Sequence, residues 1–150
     1  MQRFDVEHPM PDTAADPWEE ALIADMRAHG GAVTSGPMAG HPLLLMTSIG
    51  ARSGQPRRAI LTYSRDAGEY IVAGTAGGSP TDPMWVNNVR RTPHVTLEVG
   101  TQTIQALATF VEGAERDRLW DAHVRALPWF AEYPEQSGRR IPMIRLMPTA

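Results

Sequence analysis

A chain of 150 residues, 42% of them hydrophobic, suits one domain that buries roughly 70 per cent of its unfolded surface, enough for a core with a ligand cleft. It has no cysteine, which excludes disulfides, thiolate nucleophiles and thiolate-held zinc or iron–sulfur centres. All 14 basic residues are arginine, which excludes a phosphate-loop lysine, a lysine Schiff base and a lysine general base. A formal charge of -3 argues against nucleic acid as a partner.

Residues 1–15 carry three acids and two prolines without an apolar period, and read as an irregular arm ahead of a single domain over 16–150. The arm lacks the apolar centre of a signal peptide and no stretch reaches 18 apolar residues, so a cytoplasmic protein is expected. Asp16 can cap a helix that Pro17 opens. Glu19 completes the capping-box spacing, and Gly30-Gly31 ends the helix. Trp18, Leu22, Ile23 and Met26 give it one apolar face for packing on the domain. Peripheral contact with a membrane is the less favoured alternative, given so many acids nearby.

After a glycine- and proline-rich connector over 31–42, Leu43–Ile49 reads as a buried strand and residues 57–65 as its partner. Between them Gly50-Ala51-Arg52-Ser53-Gly54-Gln55-Pro56-Arg57-Arg58 must loop, because two glycines and a proline interrupt any regular element. Backbone N–H groups and guanidinium forks there can converge on a phosphate or a carboxylate; the plainer reading is a solvated turn. Residues 26–65 hold five arginines and no Asp or Glu, a field that would draw a polyanion.

Asp66-Ala67-Gly68 turns the chain into a strand over 69–75, which runs out in Gly74-Thr75-Ala76-Gly77-Gly78. That run is either a flexible turn or a ledge where a ligand reaches bare backbone. Asp82-Pro83 opens a second helix by the same cap and proline logic, running to about Arg91 before Thr92-Pro93. Met84 and Asn88 share a face of it with Trp85 beside them, as core or as the wall of a site. Residues 94–99 and 102–111 alternate as a hairpin about Gly100-Thr101, 113–126 form an amphipathic helix, and 141–147 a closing strand. Six strands in tight hairpins with three helices predict a mainly β domain of the α+β class, an antiparallel barrel with helices packed outside.

The five histidines, at 8, 29, 41, 94 and 123, lack metal spacing, and no metal is expected. Ser53 sits one place late for a nucleophile elbow, and the acids of residues 112–121 are spaced for salt bridges with Arg116, Arg118 and Arg125. An anion clamp, a glycine ledge and aromatics, without an evident acid, base or nucleophile, suit a protein whose reactive atom belongs to a bound cofactor.

Four ordered blocks, at residues 43–57, 72–78, 83–88 and 92–95, with the closing Arg140-Ile141-Pro142, resemble the deazaflavin-dependent nitroreductase family, whose members use coenzyme F420. The resemblance implies a split β-barrel of FMN-binding type that passes hydride from reduced deazaflavin to nitroaromatics, quinones or α,β-unsaturated lactones and carbonyls. On it, Arg52, Ser53, Gly54, Gln55, Pro56 and Arg57 hold the coenzyme's phosphate and oligoglutamate tail. Ala73, Gly74, Thr75, Ala76, Gly77 and Gly78 lie along the tricyclic ring, and Met84, Trp85 and Asn88 line the ring and ribityl side. Thr62, Thr75, Phe130 and Tyr133 would face the substrate; Phe130 and Tyr133 are either a lid over the ring or plain core aromatics, and Tyr133 is the catalytic candidate, giving a proton or a hydrogen bond to a substrate oxygen. Relatives often carry basic residues where Ala51 and Ala76 stand, so tail binding would either weaken or shift to Arg58 and Arg91. An FMN-binding barrel and a non-catalytic cofactor carrier are the alternatives, and the assembly would be a monomer or a homodimer.

Overall fold

A computed structural model describes residues 17–149; the arm expected over 1–15 and the cap expected at Asp16 lie outside them. Helix α1 (Pro17–Ala28) ends where the glycines predict: Gly30 and Gly31 take φ of 64° and 95°, and the Gly31 N–H donates back to the Met26 carbonyl at 2.7 Å.

Seven strands follow: β1 (Leu43–Ile49), β2 (Pro56–Thr62), β3 (Ser64–Asp66), β4 (Glu69–Ala73), β5 (His94–Val99), β6 (Gln102–Val111) and β7 (Met143–Pro148). They form one antiparallel sheet in the order β2-β1-β5-β6-β7-β4-β3. The two edge strands are neighbours in the chain, separated by Tyr63 alone. The sheet therefore curls until one run, 56–66, serves both of its edges, which is the geometry of a split barrel.

This corrects the strand count from six to seven. The single strand expected over 57–65 breaks at Tyr63: Thr62 is still paired with Leu43, whereas Ser64 is paired with Ile71 on the opposite edge. A strand that changes partners at a barrel corner must bend there, and hydrophobic patterning carries no sign of it.

Alternation on β1 divides the core. Leu43 and Leu45 face outward, packed with Ile23 and Met26 of α1 and with Leu119, Phe130 and Tyr133. Leu44 and Met46 face the barrel interior with Leu61, Val72, Val95, Leu97, Ile144 and Leu146. Helix α2 (Met84–Arg91) enters that interior through Trp85, Val86 and Val89. Its cap position is Pro83, without a side-chain hydrogen bond, so Asp82 does not cap it as expected; the Asp82 carboxylate instead takes Arg139.

Helix α3 (Gly113–Ala126) falls on its predicted bounds, but the chain then makes a 3₁₀ turn over Pro128–Glu132 and a further helix α4 (Tyr133–Ser137), giving four α-helices among the described residues where three were expected. Pro128 and Pro134 open these two elements. Each sits in the first turn of its element, where the missing N–H has no intrahelical role.

Candidate functional site

The arginine loop is an ordered turn. β1 and β2 stay paired to Ile49 and Pro56; the Gly50 N–H then donates to the Gln55 carbonyl at 2.8 Å, the Gly54 N–H to the Gly50 carbonyl at 2.9 Å, and the Gln55 N–H to Ser53 Oγ at 3.1 Å. Gly54 holds φ at 70°, as the turn requires. Arg52, Ser53, Gly54, Gln55 and Pro56 are exposed and Arg57 is half-buried.

What fixes the loop to the body is Asn88. Its Oδ1 accepts the Ala51 N–H at 2.8 Å, and its Nδ2 lies 3.5 Å from Ser48 Oγ. Asn88 is buried, so its amide is engaged by the loop rather than presented along a ring. Arg58 pairs with Glu20 and, at 3.3 Å, with the buried Glu19 of α1, which removes it as a reserve contact for an anionic tail. Arg91 is exposed one turn beyond Asn88.

On the other side of α2 stands the glycine ledge. A Cβ on Gly74 would lie 2.7 Å from Val86 Cγ2 and 2.9 Å from Pro142 Cγ, and one on Gly78 would strike the Gln136 side chain. The room on the Cβ side of these two glycines is filled by the protein itself, so on that side they serve close packing. Ala73 and Thr75 are fully buried and Ala76 nearly so, while Gly77, Gly78 and Ser79 are the half-exposed part of the run. Arg139, which the sequence reading passed over, gathers the ledge from outside: its guanidinium reaches the carbonyls of Gly74, Thr75, Ser79 and Thr81 and the carboxylate of Asp82. It lies 57 residues from Asp82, too far for any local spacing to announce it.

Helix α2 thus joins the two features, with Val86 against the ledge and Asn88 against the loop. Met84 is half-buried at its first turn, and Trp85 is buried with an indole N–H that meets no acceptor among the described residues. Thr62, at the end of β2, is fully buried, and its hydroxyl likewise finds no partner there.

Phe130 and Tyr133 do not form a lid. Both are fully buried in the outer core, ring against ring at 5.2 Å, and Phe130 packs edge-on against His123 at 4.6 Å. Their spacing within one compact turn of chain directs both inward. His123 Nδ1 lies 2.6 Å from Ser64 Oγ, and burial pushes its pKa down to about 4, so the ring is neutral at pH 7.

Residues 20–148 match the F420H(2)-dependent quinone reductase family. The chain belongs to that family. Like other F420H(2)-dependent quinone reductases it is an oxidoreductase that depends on coenzyme F420, as the ordered sequence blocks implied. It is 32% identical over 108 residues to an F420H(2)-dependent quinone reductase of Mycobacterium tuberculosis strain H37Rv, covering 70% of this chain and 72% of that protein. Among solved structures, an F420-H2 dependent reductase shares 34% identity at a TM-score of 0.64, over 70% of this chain and 93% of its own. Another, described as a domain-swapped dimer, shares 30% identity at a TM-score of 0.66, over 87% of this chain and 99% of its own. No helix among the described residues is long and apolar enough to cross a membrane.

Proposed function

We propose that this protein, one domain over residues 16–150, binds coenzyme F420 along α2 and reduces a quinone, with nitroaromatics and α,β-unsaturated lactones or carbonyls as further acceptors of the same electron-poor kind. The observation that carries the reading is the pairing of an exposed arginine loop with a buried Trp85 on the helix that anchors it, through Asn88 three residues on. Three helical residues span about 4.5 Å, so the loop and the first turn of α2 lie within reach of one extended ligand, its charged group at the loop and its flat ring beside Trp85.

The residues present fit that coenzyme. Arg52 and Arg57 offer charge-assisted hydrogen bonds to phosphate or carboxylate, with the exposed backbone of Ser53 and Gly54 between them. A buried indole N–H without an acceptor costs about 1–3 kcal/mol, which a ring edged with carbonyl oxygens and ring nitrogens would recover. Bound and reduced, the deazaflavin supplies the hydride. The chain's own part is to hold the tail, to seat the ring against Met84 and the half-exposed Gly77 and Gly78, and to keep water from the transferring carbon. The neighbour described as a domain-swapped dimer supports a homodimer as the assembly.

The test is a titration of wild type, Arg52→Ala and Arg57→Ala with coenzyme F420 and with FMN. Each arginine change weakens F420 roughly ten- to hundredfold, the equivalent of one charge-assisted hydrogen bond. Wild-type protein must also consume F420H2 absorbance when menadione is added. Binding without turnover over a panel of quinones would make the protein a carrier, and preference for FMN would move it to the flavin-binding barrels.

A further inference from the structure

One side chain gathers the run 74–82 from outside. Arg139, in the link between α4 and β7, donates from Nη2 to the carbonyls of Gly74 (2.9 Å), Thr75 (3.2 Å) and Thr81 (3.0 Å), from Nε to that of Ser79 (3.1 Å), and from Nη1 to Asp82 Oδ1 (2.7 Å). Its side chain is only 15% exposed. Planar, always charged and carrying five N–H donors in a fixed fork, guanidinium is the one side-chain group that can face this many carbonyls at once. The arginine is itself held: its N–H donates to Ser137 Oγ at 3.3 Å, and that hydroxyl bonds the Pro134 carbonyl at 3.2 Å.

The backbone so gathered is not one the chain would choose. Ala76 takes φ of 48°, Gly77 64° and Gly78 90°, and a left-handed alanine persists only where its surroundings over-determine it. A solvated turn of small residues would ordinarily sample many shapes. Here the arginine's hydrogen bonds and the close approach of Gly74 to Val86 restrain it.

We propose that Arg139 is a positioning residue for the deazaflavin ring: it holds the Gly74–Asp82 run as a preformed seat and acts on the ring through that backbone. This rests on the assignment of coenzyme F420 made above. It separates two functions in space, the Arg52 loop gripping the anionic tail and the Arg139-gathered run placing the ring. Lysine at 139 would keep the charge but, as a point donor on a flexible stem, could not bridge the carbonyls of Gly74, Ser79 and Thr81 together.

The experiment measures affinity and stoichiometry by calorimetry for wild type, Arg139→Lys, Asp82→Asn and Arg52→Ala. Each is titrated with coenzyme F420 and with the same chromophore lacking its phosphate and glutamates. Arg139→Lys is expected to weaken both ligands by the same factor, about tenfold, at wild-type stoichiometry. Arg52→Ala weakens only the tailed form. A merely structural role would lower the bound fraction and leave Kd unchanged. Asp82→Asn keeps four of the five contacts and should shift both ligands in the same direction by a smaller factor, which decides the matter if Arg139→Lys does not fold. Wild-type Kd for the tail-less chromophore in the folded Arg139→Lys variant, or in Asp82→Asn, overturns the proposal. Wild-type protein that binds neither ligand overturns instead the coenzyme assignment beneath it.

Discussion

Asn88 Oδ1 accepts the backbone N–H of Ala51 at 2.8 Å, so α2 holds the arginine loop by a bond to its main chain. This bond uses none of the loop's side chains, and it keeps the loop in register with Trp85. Replacing Asn88 with alanine removes the acceptor, at a cost of about 1–3 kcal/mol, or a fall in Tm of about 2–4 °C for each kcal/mol lost. The coenzyme should bind at least tenfold more weakly, because the loop must be ordered at the moment of binding. A thermal melt and a coenzyme titration on the same preparation check both effects. Unchanged affinity would mean that the loop's own hydrogen bonds suffice to order it.

Gly74 is predicted to tolerate no side chain. A Cβ there would sit 2.7 Å from Val86 Cγ2 and 2.9 Å from Pro142 Cγ, and the Gly74 N–H is tied to the Pro142 carbonyl at 2.9 Å, so neither wall can retreat without moving α2 or the lead into β7. Gly74→Ala should destabilise by about 1–3 kcal/mol through overpacking, seen as a lower urea midpoint at unchanged m-value. Gly54→Ala makes the contrast. Among the described residues no atom lies within 4 Å of its would-be Cβ, so the loss expected there comes from the left-handed φ of 70°.

These two residues mark what could be read before the fold was known. Gly54 and its loop were legible because glycine, proline and arginine act locally, and β1, β5, β6 and α3 fell on their bounds because patterning and turn residues agree within each element. Gly74 was noticed for the right reason, its missing side chain, but given the wrong neighbour. Whether a ligand or the protein fills such a space depends on where Val86 and Pro142 arrive, which is a tertiary fact. Arg139 and Tyr63 left no mark at all. The first acts on carbonyls some 60 residues away, and the second is a corner that exists only because the sheet closes on itself.

Arg58 ties β2 to α1. Its guanidinium meets Glu20 and, at 3.3 Å, Glu19, whose side chain is 2% exposed. Removing the cation leaves a buried carboxylate without it, and the loss is larger than for a surface pair. With Arg58 itself 28% exposed, Arg58→Met should cost about 2–3 kcal/mol, below the full penalty of a buried pair. The double variant Arg58→Met with Glu19→Gln should recover much of the loss, since the carboxylate no longer needs neutralising. A double-mutant cycle in urea measures the coupling, and strictly additive effects would sink the idea. Coenzyme affinity should be untouched by either change once the protein is folded.

His123 should make the fold acid-sensitive above the range where carboxylates titrate. The ring is fully buried, takes a 2.6 Å contact with Ser64 Oγ through Nδ1, and its Nε2 has no partner among the described residues, so nothing nearby steadies a second proton. Burial pushes its pKa down to about 4, from an ordinary 6.5. The unfolded chain therefore takes up a proton as pH falls through 6.5, whereas the folded chain resists until about 4. Stability is intact above pH 6.5, declines between there and 4, and has no further loss from this group below 4. The decline should reach about 2 kcal/mol by pH 5 and about 3 kcal/mol in full. Urea midpoints at pH 7.5, 6 and 5 for wild type and for His123→Gln test it: glutamine keeps a polar group beside Ser64 and cannot titrate, so its midpoint should change far less over that window. Parallel pH curves for the two proteins would show that the proton is taken up elsewhere.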